Sequence, residues 1–310
     1  MNDLSTVANS SFDTEHASPS SIDNPTANQE LKPTRSWLAE LSLGFAKRPA
    51  KTVLANSLHQ GPLRVQKPFY PEADGTCHVY ILHPPGGIVA GDRVLLSAEL
   101  EAGTQALLTT PAAGKMYGTK TLPETQHQLC DFHVGNDAIL EWLPQETIIF
   151  NEAKAHATTK IHLEGNGKAF VWDIVRLGRI DSGERFTSGY CEQRLELWQN
   201  DQPLFIERNR LIADHPLRAA KWGLQNANTT ATLCATVVMP KEKIEACIEC
   251  LNSKNTANGL WGLTQKQSLF IARYLGDSIS QCREGFEYLW QECRPYFSEK
   301  PAVRPRIWNT

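Results

Sequence analysis

The sequence has no long apolar run and no excess of basic residues. No stretch approaches the about 18 consecutive apolar residues that a membrane-spanning helix needs. Residues 1–36 also lack a basic segment followed by an apolar one, which is the pattern of a secretory signal peptide. The 310 residues include 31 Lys and Arg against 34 Asp and Glu, so the formal net charge is −3. We therefore expect a cytoplasmic protein, and the charge argues against nucleic acid as a partner.

The common signatures of catalysis are missing as well. The sequence contains no G-x-x-x-x-G-K-[ST], no G-x-S-x-G and no H-E-x-x-H. The run of residues 165–168, Gly-Asn-Gly-Lys, is a glycine-rich turn with a lysine, but it lacks the spacing that holds phosphates. These absences predict a protein that is not an enzyme and has no catalytic residue.

Eight cysteines are scattered through the chain and do not form a disulfide framework. Because the chain is long and shows no export signal, we interpret them as reduced, mostly buried thiols. Cys247 and Cys250 have the C-x-x-C spacing, but a single pair supplies only two of the four ligands of a structural zinc site. We expect this pair to pack in the core and no metal to be bound tightly.

Composition divides the chain into four parts. Residues 1–36 are rich in Ser, Thr, Asn, Asp and Pro, which predicts a disordered extension. In residues 37–213, short apolar runs alternate with turn residues at a spacing of about 8 to 12, which predicts a mainly β core. A sandwich, a barrel and a stacked solenoid all fit that pattern. Residues 214–297 predict a C-terminal α/β part of the same fold, and the proline-broken residues 298–310 predict a loose tail.

Individual elements follow from the same patterns. The strands predicted in the β core are residues 52–58, 77–82, 93–100, 105–110, 127–134, 138–142, 157–163, 169–177, 189–199 and 203–211. In the α/β part we predict strands at residues 231–238, 259–263 and 268–274 and helices at residues 240–251 and 278–293. Ser278 is the predicted cap of the second helix.

One segment, residues 83–92, is specified more tightly than an ordinary turn requires. It reads His-Pro-Pro-Gly-Gly-Ile-Val-Ala-Gly-Asp and follows a buried strand. The prolines fix φ, and the glycines permit positive φ or a close backbone approach. His83 and Asp92 place one titratable group at each end. Local physics leaves open whether this is a tight β corner capped by those side chains or a functional loop.

Four ordered blocks carry a resemblance to a known family. They are HPPGGIVAGD at residues 83–92, ALLTTPAAGKMY at 106–117, LEWLPQETIIF at 140–150, and the run from Trp172-Asp173 through Gly178-Arg179 to SGERF at 182–186. Together they resemble the UreD urease accessory proteins, called UreH in some organisms, over about residues 37–297.

That resemblance implies both a fold and a function. The fold would be a large β-helix-like stack of strands with a small C-terminal α/β part that contains two helices. The function would be urease maturation, as a scaffold that joins UreF and the GTPase UreG in a GTP-dependent complex on the urease apoprotein. Ni²⁺ would pass through transiently on its way to the urease active site, and no cofactor would be bound tightly.

Carboxylates inside the four blocks are the candidate site residues. Asp92, Glu146, Asp173 and Glu184 lie beside turn-forming or apolar residues, and a series of such carboxylates indicates a wet internal path or a partner surface. Isolated carboxylates hold Ni²⁺ weakly, as a conduit requires. We predict that Asp92, Glu146 and Glu184 lie along the nickel path or at a partner interface. The loops around it would be shaped by His83, Pro84, Pro85, Gly86, Gly87 and Lys115.

Three alternatives stay open at this point. The same carboxylates could be loop caps, or ion-pair partners of nearby arginines and lysines. A β-rich metal-dependent hydrolase or isomerase could use His83 with these carboxylates, and it would bind a stoichiometric metal and turn over alone. A structural adaptor without an ion path would tolerate neutral substitutions at all three positions.

Overall fold

A computed structural model describes residues 36–255 and 258–309. Its first strands are β1 (Leu38–Arg48), β2 (Lys51–Gln60), β3 (Arg64–Val65), β4 (Cys77–Leu82), β5 (Arg93–Leu100), β6 (Gln105–Thr109), β7 (Gly114–Met116), β8 (Gln126–Val134) and β9 (Ile139–Trp142). Then follow β10 (Thr147–Ile149), β11 (Lys154–Leu163), β12 (Lys168–Leu177), β13 (Tyr190–Gln199), β14 (Gln202–Ile212), β15 (Thr229–Ala235), α1 (Lys241–Ser253), β16 (Leu260–Lys266), β17 (Leu269–Gly276) and α2 (Ile279–Ser298).

Two sheets form the scaffold. The first sheet has the order β14-β13-β11-β8-β5-β1-β2, and the second has the order β16-β17-β15-β12-β9-β6-β4-β3. From β5 to β13 the chain passes repeatedly from the first sheet to the second and back, and each strand pairs in parallel with the strand of the previous passage. Short strands β7 and β10 branch from the second sheet, where β10 pairs in parallel with the end of β12 and with β7. This coil is the β-helix-like stack that the resemblance implied.

Side-chain alternation explains why these segments form strands. β11 is buried at every second residue, with Ala155, Thr159 and Ile161 directed into the stack and polar residues directed outwards. β12 is apolar on both faces because it lies between two cores. One face contacts the interior of the stack, and the other contacts the C-terminal helices.

The C-terminal part extends the second sheet through antiparallel β15, β17 and β16, and α1 and α2 cover its outer face. The Ser278 hydroxyl accepts a hydrogen bond from the Gln281 amide at 3.1 Å, so the predicted helix cap is confirmed. α2 continues five residues beyond the predicted end, through Pro295. Among the described residues, no helix combines the length and apolar character needed to cross a membrane.

Three predictions about the chain's ends and cysteines can be placed on this fold. The predicted disordered extension lies outside the described residues, except for Ser36. The tail predicted to be loose instead ends in a 3-10 helix, Arg306–Asn309, and the Trp308 indole donates a hydrogen bond to Thr109 Oγ1 at 2.8 Å. Trp308 also lies 5.7 Å from the Trp290 ring, so aromatic packing fixes this segment despite its prolines.

All eight cysteines lie in the described part of the chain as free thiols, and seven are buried.

Candidate functional site

The loop that joins β4 to β5 is fixed against β7. The Ile88 amide donates to the Lys115 carbonyl at 2.8 Å, and the Tyr117 amide donates to the Ile88 carbonyl at 2.9 Å. Gly87 is closely covered there, because a Cβ on this residue would lie 2.4 Å from the Tyr117 ring and 2.9 Å from Lys115. Only glycine fits this position, so the sequence HPPGG is needed for the loop to lie flat on β7.

Asp92 ends the same loop as a backbone cap. Its Oδ1 accepts a hydrogen bond from the Trp37 amide at 2.8 Å, and its Oδ2 accepts one from the Val89 amide at 3.1 Å. The side chain is buried, and both oxygens are therefore used to join β1 to the loop. Burial lowers the pKa of His83, and the nearby Asp92 carboxylate opposes that shift. His83 is accordingly a neutral imidazole near pH 7.

Glu184 has a similar position in another loop. Its Oε1 accepts a hydrogen bond from the Asn151 amide at 2.8 Å, and its Oε2 accepts one from Arg179 Nε at 2.7 Å. The Arg179 guanidinium in turn covers the Phe150 ring at 4.6 Å. Asp92 and Glu184 thus have the geometry of the loop caps that the sequence analysis left open.

Glu146 faces a different part of the molecule. Its Oε2 lies 3.9 Å from Arg283 Nε of α2, a distance too long for a hydrogen bond. That oxygen is buried and accepts no hydrogen bond from any residue the structure describes. Glu146 is also close enough to raise the pKa of Cys282, after the larger effect of burial. Asp92, Glu146 and Glu184 therefore do not converge on one point, and their role in a nickel path stays a prediction.

A cavity of about 330 Å³ lies where the loops after β4, β6 and β9 meet. Of the predicted loop-shaping residues, its lining includes His83, Pro84, Gly86, Gly87 and Lys115. None of the three predicted carboxylates belongs to this lining within residues 36–255 and 258–309. Its inner wall is formed by side chains inside the stack, among them Leu96, Gln128, Cys130 and Trp142. The cavity therefore opens into the interior between the two sheets.

Polar side chains continue from this cavity through the otherwise apolar interior. Cys130 on β8 contacts Gln128 and lies in register with Thr159 on β11. Asp173 on β12 lies between Val171 and Val175, both part of the interior core, so it points inwards too. We call the whole set the polar lane, and its members are Gln128, Cys130, Thr159, Asp173, Gln193, Asn209 and Glu207.

Contacts join the far half of the lane. Asp173 is hydrogen-bonded to Gln193 on β13, whose Oε1 accepts from Asn209 Nδ2 at 3.3 Å. Glu207 Oε1 accepts from Arg273 Nε at 3.0 Å. Asn209, Glu207 and Arg273 line an open groove of about 480 Å³ beside the exposed Trp222. The polar lane thus runs from the wall of the cavity to an open groove.

Burial sets the charge state along the polar lane. It raises the pKa of Asp173 to about 6, an effect that the Gln193 hydrogen bond partly opposes and Glu207 reinforces. It raises the pKa of Cys130 to about 12, with a further contribution from Asp173. Asp173 is therefore mostly ionised at pH 7, whereas Cys130 remains a neutral thiol. Asp173 is deeply placed yet keeps part of its surface accessible, which requires internal space beside it.

Asp173 stands in one of the family blocks but was not predicted to lie on the path, and the other six lane residues were not predicted at all. One signal was available, namely a polar residue at an inward position of a strand whose neighbours two residues away are apolar. Val171-Trp172-Asp173-Ile174-Val175 has this pattern, and so does Cys191 to Leu195 around Gln193. Strand pairing within the first sheet and packing of the second sheet against it were needed to bring these residues together.

These features define a mainly β, β-helix-like protein with a small C-terminal α/β part and a polar lane through its interior. A sequence model of the family described as UreD urease accessory protein matches residues 38–309. The chain belongs to the UreD urease accessory protein family.

The sequence aligns with those of curated relatives over nearly the whole length of both chains. The chain is 54% identical over 279 residues to the protein named urease accessory protein UreD of Saccharophagus degradans, covering 90% of this chain and 95% of the relative. It is 40% identical over 285 residues to the protein of the same name from Chromohalobacter salexigens, covering 89% and 90%. It is 41% identical over 290 residues to that of Dechloromonas aromatica, covering 92% and 98%.

Proposed function

We propose that this protein is the scaffold of a urease-activating complex and that it conducts Ni²⁺ along its polar lane. It would hold UreF and the GTPase UreG on the urease apoprotein, and UreG would hydrolyse the nucleotide. The names of the relatives support the accessory role. The observation that carries the ion path is the polar lane itself, because a series of polar side chains inside an apolar stack is costly unless it serves a purpose.

The ligand atoms of the polar lane are suited to weak, transient binding of Ni²⁺ rather than to tight binding. Its groups are carboxylates, amide oxygens, a hydroxyl and one thiol, spread over five strands. Ni²⁺ binds tightly to imidazole and thiolate, and only weakly to isolated oxygen ligands. The raised pKa of Cys130 keeps its sulfur protonated, so the thiol does not trap the ion. An ion would therefore move from one weak site to the next, as a transient passenger.

The predicted site carboxylates have supporting roles in this proposal. Asp92 holds the loop that lines the cavity, through its backbone hydrogen bonds. Glu184 holds the loop after β12 against the Asn151 amide, outside the cavity lining that the described residues form. Glu146 is the member best placed to meet a partner or an ion after a small movement, because its buried Oε2 beside α2 accepts no hydrogen bond from the described residues and has only a long ionic contact with Arg283. Substitution of Asp92 or Glu184 would then impair urease activation through the loops.

The hydrolase or isomerase alternative needs His83 and carboxylates in one site. His83 lines the cavity, whereas Asp92, Glu146 and Glu184 do not belong to the lining that the described residues form. We accordingly propose that the protein catalyses no reaction by itself and binds no cofactor tightly.

Neighbouring threonines on β11 provide a matched test of the ion path. Thr159 is buried in the lane, whereas Thr158 is on the outer face of the same strand. In cells that express a urease operon, we expect Thr159→Leu and Asp173→Asn to give nickel-poor, inactive urease, and Thr158→Leu to give normal urease. Pull-down of urease and UreF would be unchanged in all three. Full activation with Thr159→Leu and Asp173→Asn would overturn the ion path and leave only the scaffold role.

A further inference from the structure

We propose that Asp131, His133 and His162 form a binding site for a divalent transition-metal ion such as Ni²⁺ or Zn²⁺. The site lies on the outer face of the first sheet, on the side of β8 opposite to the polar lane. We call these three residues the outer cluster. The proposal that the outer cluster binds a metal ion does not depend on the proposed part in urease activation. It depends only on the arrangement of these three side chains.

Parallel pairing of β8 and β11 brings the outer cluster together. His133 is in register with His162, so the two imidazoles are side by side on adjacent strands. Asp131 is two residues before His133 and therefore projects from the same face. A sheet is a stiff support, so these side chains need little ordering to act together.

The ligand atoms are close to coordinating distances. Asp131 Oδ1 lies 3.4 Å from His162 Nε2 and 3.8 Å from His133 Nε2, and all three ligand atoms lie within 4.8 Å of one another. A tetrahedral ion with bonds of about 2.0–2.1 Å separates its ligands by roughly 3.4 Å. The histidine rings are nearly parallel, with centroids 4.6 Å apart. Small rotations of these part-exposed side chains would bring both nitrogens to the ion.

Asp131 Oδ1 is the second observation that indicates a ligand. This oxygen is buried, and no residue in the described ranges donates a hydrogen bond to it. A buried carboxylate oxygen without a donor is costly. A cation between it and the two imidazoles would remove that cost, and two imidazoles with one carboxylate favour Ni²⁺, Cu²⁺ and Zn²⁺ over Mg²⁺ and Ca²⁺.

Neighbouring strands adjust the charge of the outer cluster. Glu99 on β5 is exposed and in register with His133, so it can supply a further oxygen ligand. Lys160 on β11 is in register with Asp131, and its positive charge opposes binding of a cation. Trp198 on β13 is in register with His162 on the other side of β11. Water would complete the coordination shell.

The test measures metal binding to the purified full chain without a polyhistidine tag. Calorimetric titration with Ni²⁺ or Zn²⁺ alone should show one site, and His162→Ala or Asp131→Asn should weaken it by about tenfold or more. Lys160→Gln should strengthen it. His156→Ala removes a histidine from the same face of β11 without touching the cluster, so it should leave this site unchanged.

Asp173→Asn distinguishes metal binding at the outer cluster from metal binding in the polar lane, because the substitution changes only the lane. Calorimetric binding that is unchanged in this variant is therefore not binding in the lane. The proposal is overturned if wild type and His162→Ala bind the ion equally, or if wild type binds neither ion. In either case the outer cluster is only a solvated histidine–aspartate contact. Circular dichroism spectra matching the wild type would show that a loss of binding is not a loss of fold.

Discussion

Glu141 Oε1 accepts a hydrogen bond from Arg294 Nη2 at 2.8 Å, although 153 residues separate the two. Glu141 is on β9 and Arg294 on α2, and both side chains are almost completely buried. Arg294 also donates to Glu72 Oε1 at 2.7 Å, and the Trp290 indole donates to Glu141 Oε2 at 2.5 Å. A buried ionic network therefore attaches the C-terminal helix to the β stack.

Arg294→Met should destabilise the protein strongly. The substitution leaves the Glu72 and Glu141 carboxylates buried without their shared cation, and breaking such a buried pair costs about 3–5 kcal/mol. Urea unfolding at neutral pH measures the change. Arg283→Met is the control on the same helix, since its contact with Glu146 is long and half-exposed and should cost less than about 1 kcal/mol. Equal losses for both variants would contradict this account.

Glu72 should make stability depend on acid. Burial alone raises the pKa of this carboxyl, but hydrogen bonds from His78 and Arg294 and the nearby Lys300 lower it to about 2, against 4.5 when unfolded. Its contribution is therefore complete above about pH 4.5 and is lost as the pH falls towards about 2. Glu72→Gln should flatten the free energy of unfolding across that window, where up to about 3 kcal/mol is at stake.

The exposed Glu249→Gln variant is the control for that experiment, because its carboxyl is on the solvent side of α1. It should keep the wild-type acid dependence. If Glu72→Gln follows the same curve as Glu249→Gln, the carboxyl of Glu72 does not couple proton binding to folding.

Gly87→Ala should disturb the loop at the cavity. A new Cβ would meet the Tyr117 ring at 2.4 Å, and the forced displacement should cost about 1–3 kcal/mol. Thermal unfolding measures the loss. Gly262 on β16 has no heavy atom within 4 Å of the position that a Cβ would occupy, so Gly262→Ala should be neutral or slightly stabilising. A neutral Gly87→Ala would mean that Tyr117 moves aside freely.

Much of the fold could be predicted from local pattern. Cys77–Leu82 and Arg93–Leu100 were predicted with their observed bounds, because a continuous apolar run marks the first strand, an apolar pattern marks the second, and turn residues flank both. β3, β7 and β10 were missed, since two or three residues are too few to show a period. Their partners are set by the coil of the chain, which no single segment contains.

The site was harder to predict for a related reason. The HPPGG loop is continuous in sequence, and most of its residues do line the cavity. The polar lane instead takes one or two residues from each of five strands. It depends on strand pairing within the first sheet, which carries Cys130 and Gln193, and on packing of the second sheet, which carries Asp173. The carboxylates nearest the recognisable blocks, such as Asp92, bind backbone amides. The loops can therefore be located from the sequence, whereas the side chains that lie together inside the stack are determined by its three-dimensional structure.

Asp173→Asn should stabilise the folded protein at alkaline pH although it impairs the proposed passage of nickel. Burial raises the pKa of this carboxyl from 3.8 to about 6, so the folded state favours the protonated form. The stability that this provides is complete below about pH 3.8 and is lost as the pH rises through about 6. An uncharged asparagine should therefore raise the free energy of unfolding at pH 8 by on the order of 1–3 kcal/mol and change it little at pH 4.

The exposed Asp181→Asn variant should show no such pH-dependent gain, which makes it the matched control. A protein that retains a destabilising charge in its interior keeps it for another reason, and the proposed reason is cation passage. A gain in stability at pH 8 together with nickel-poor urease would support that reason. A loss of stability at pH 8 would instead make Asp173 a structural anchor that needs its charge to hold Gln193.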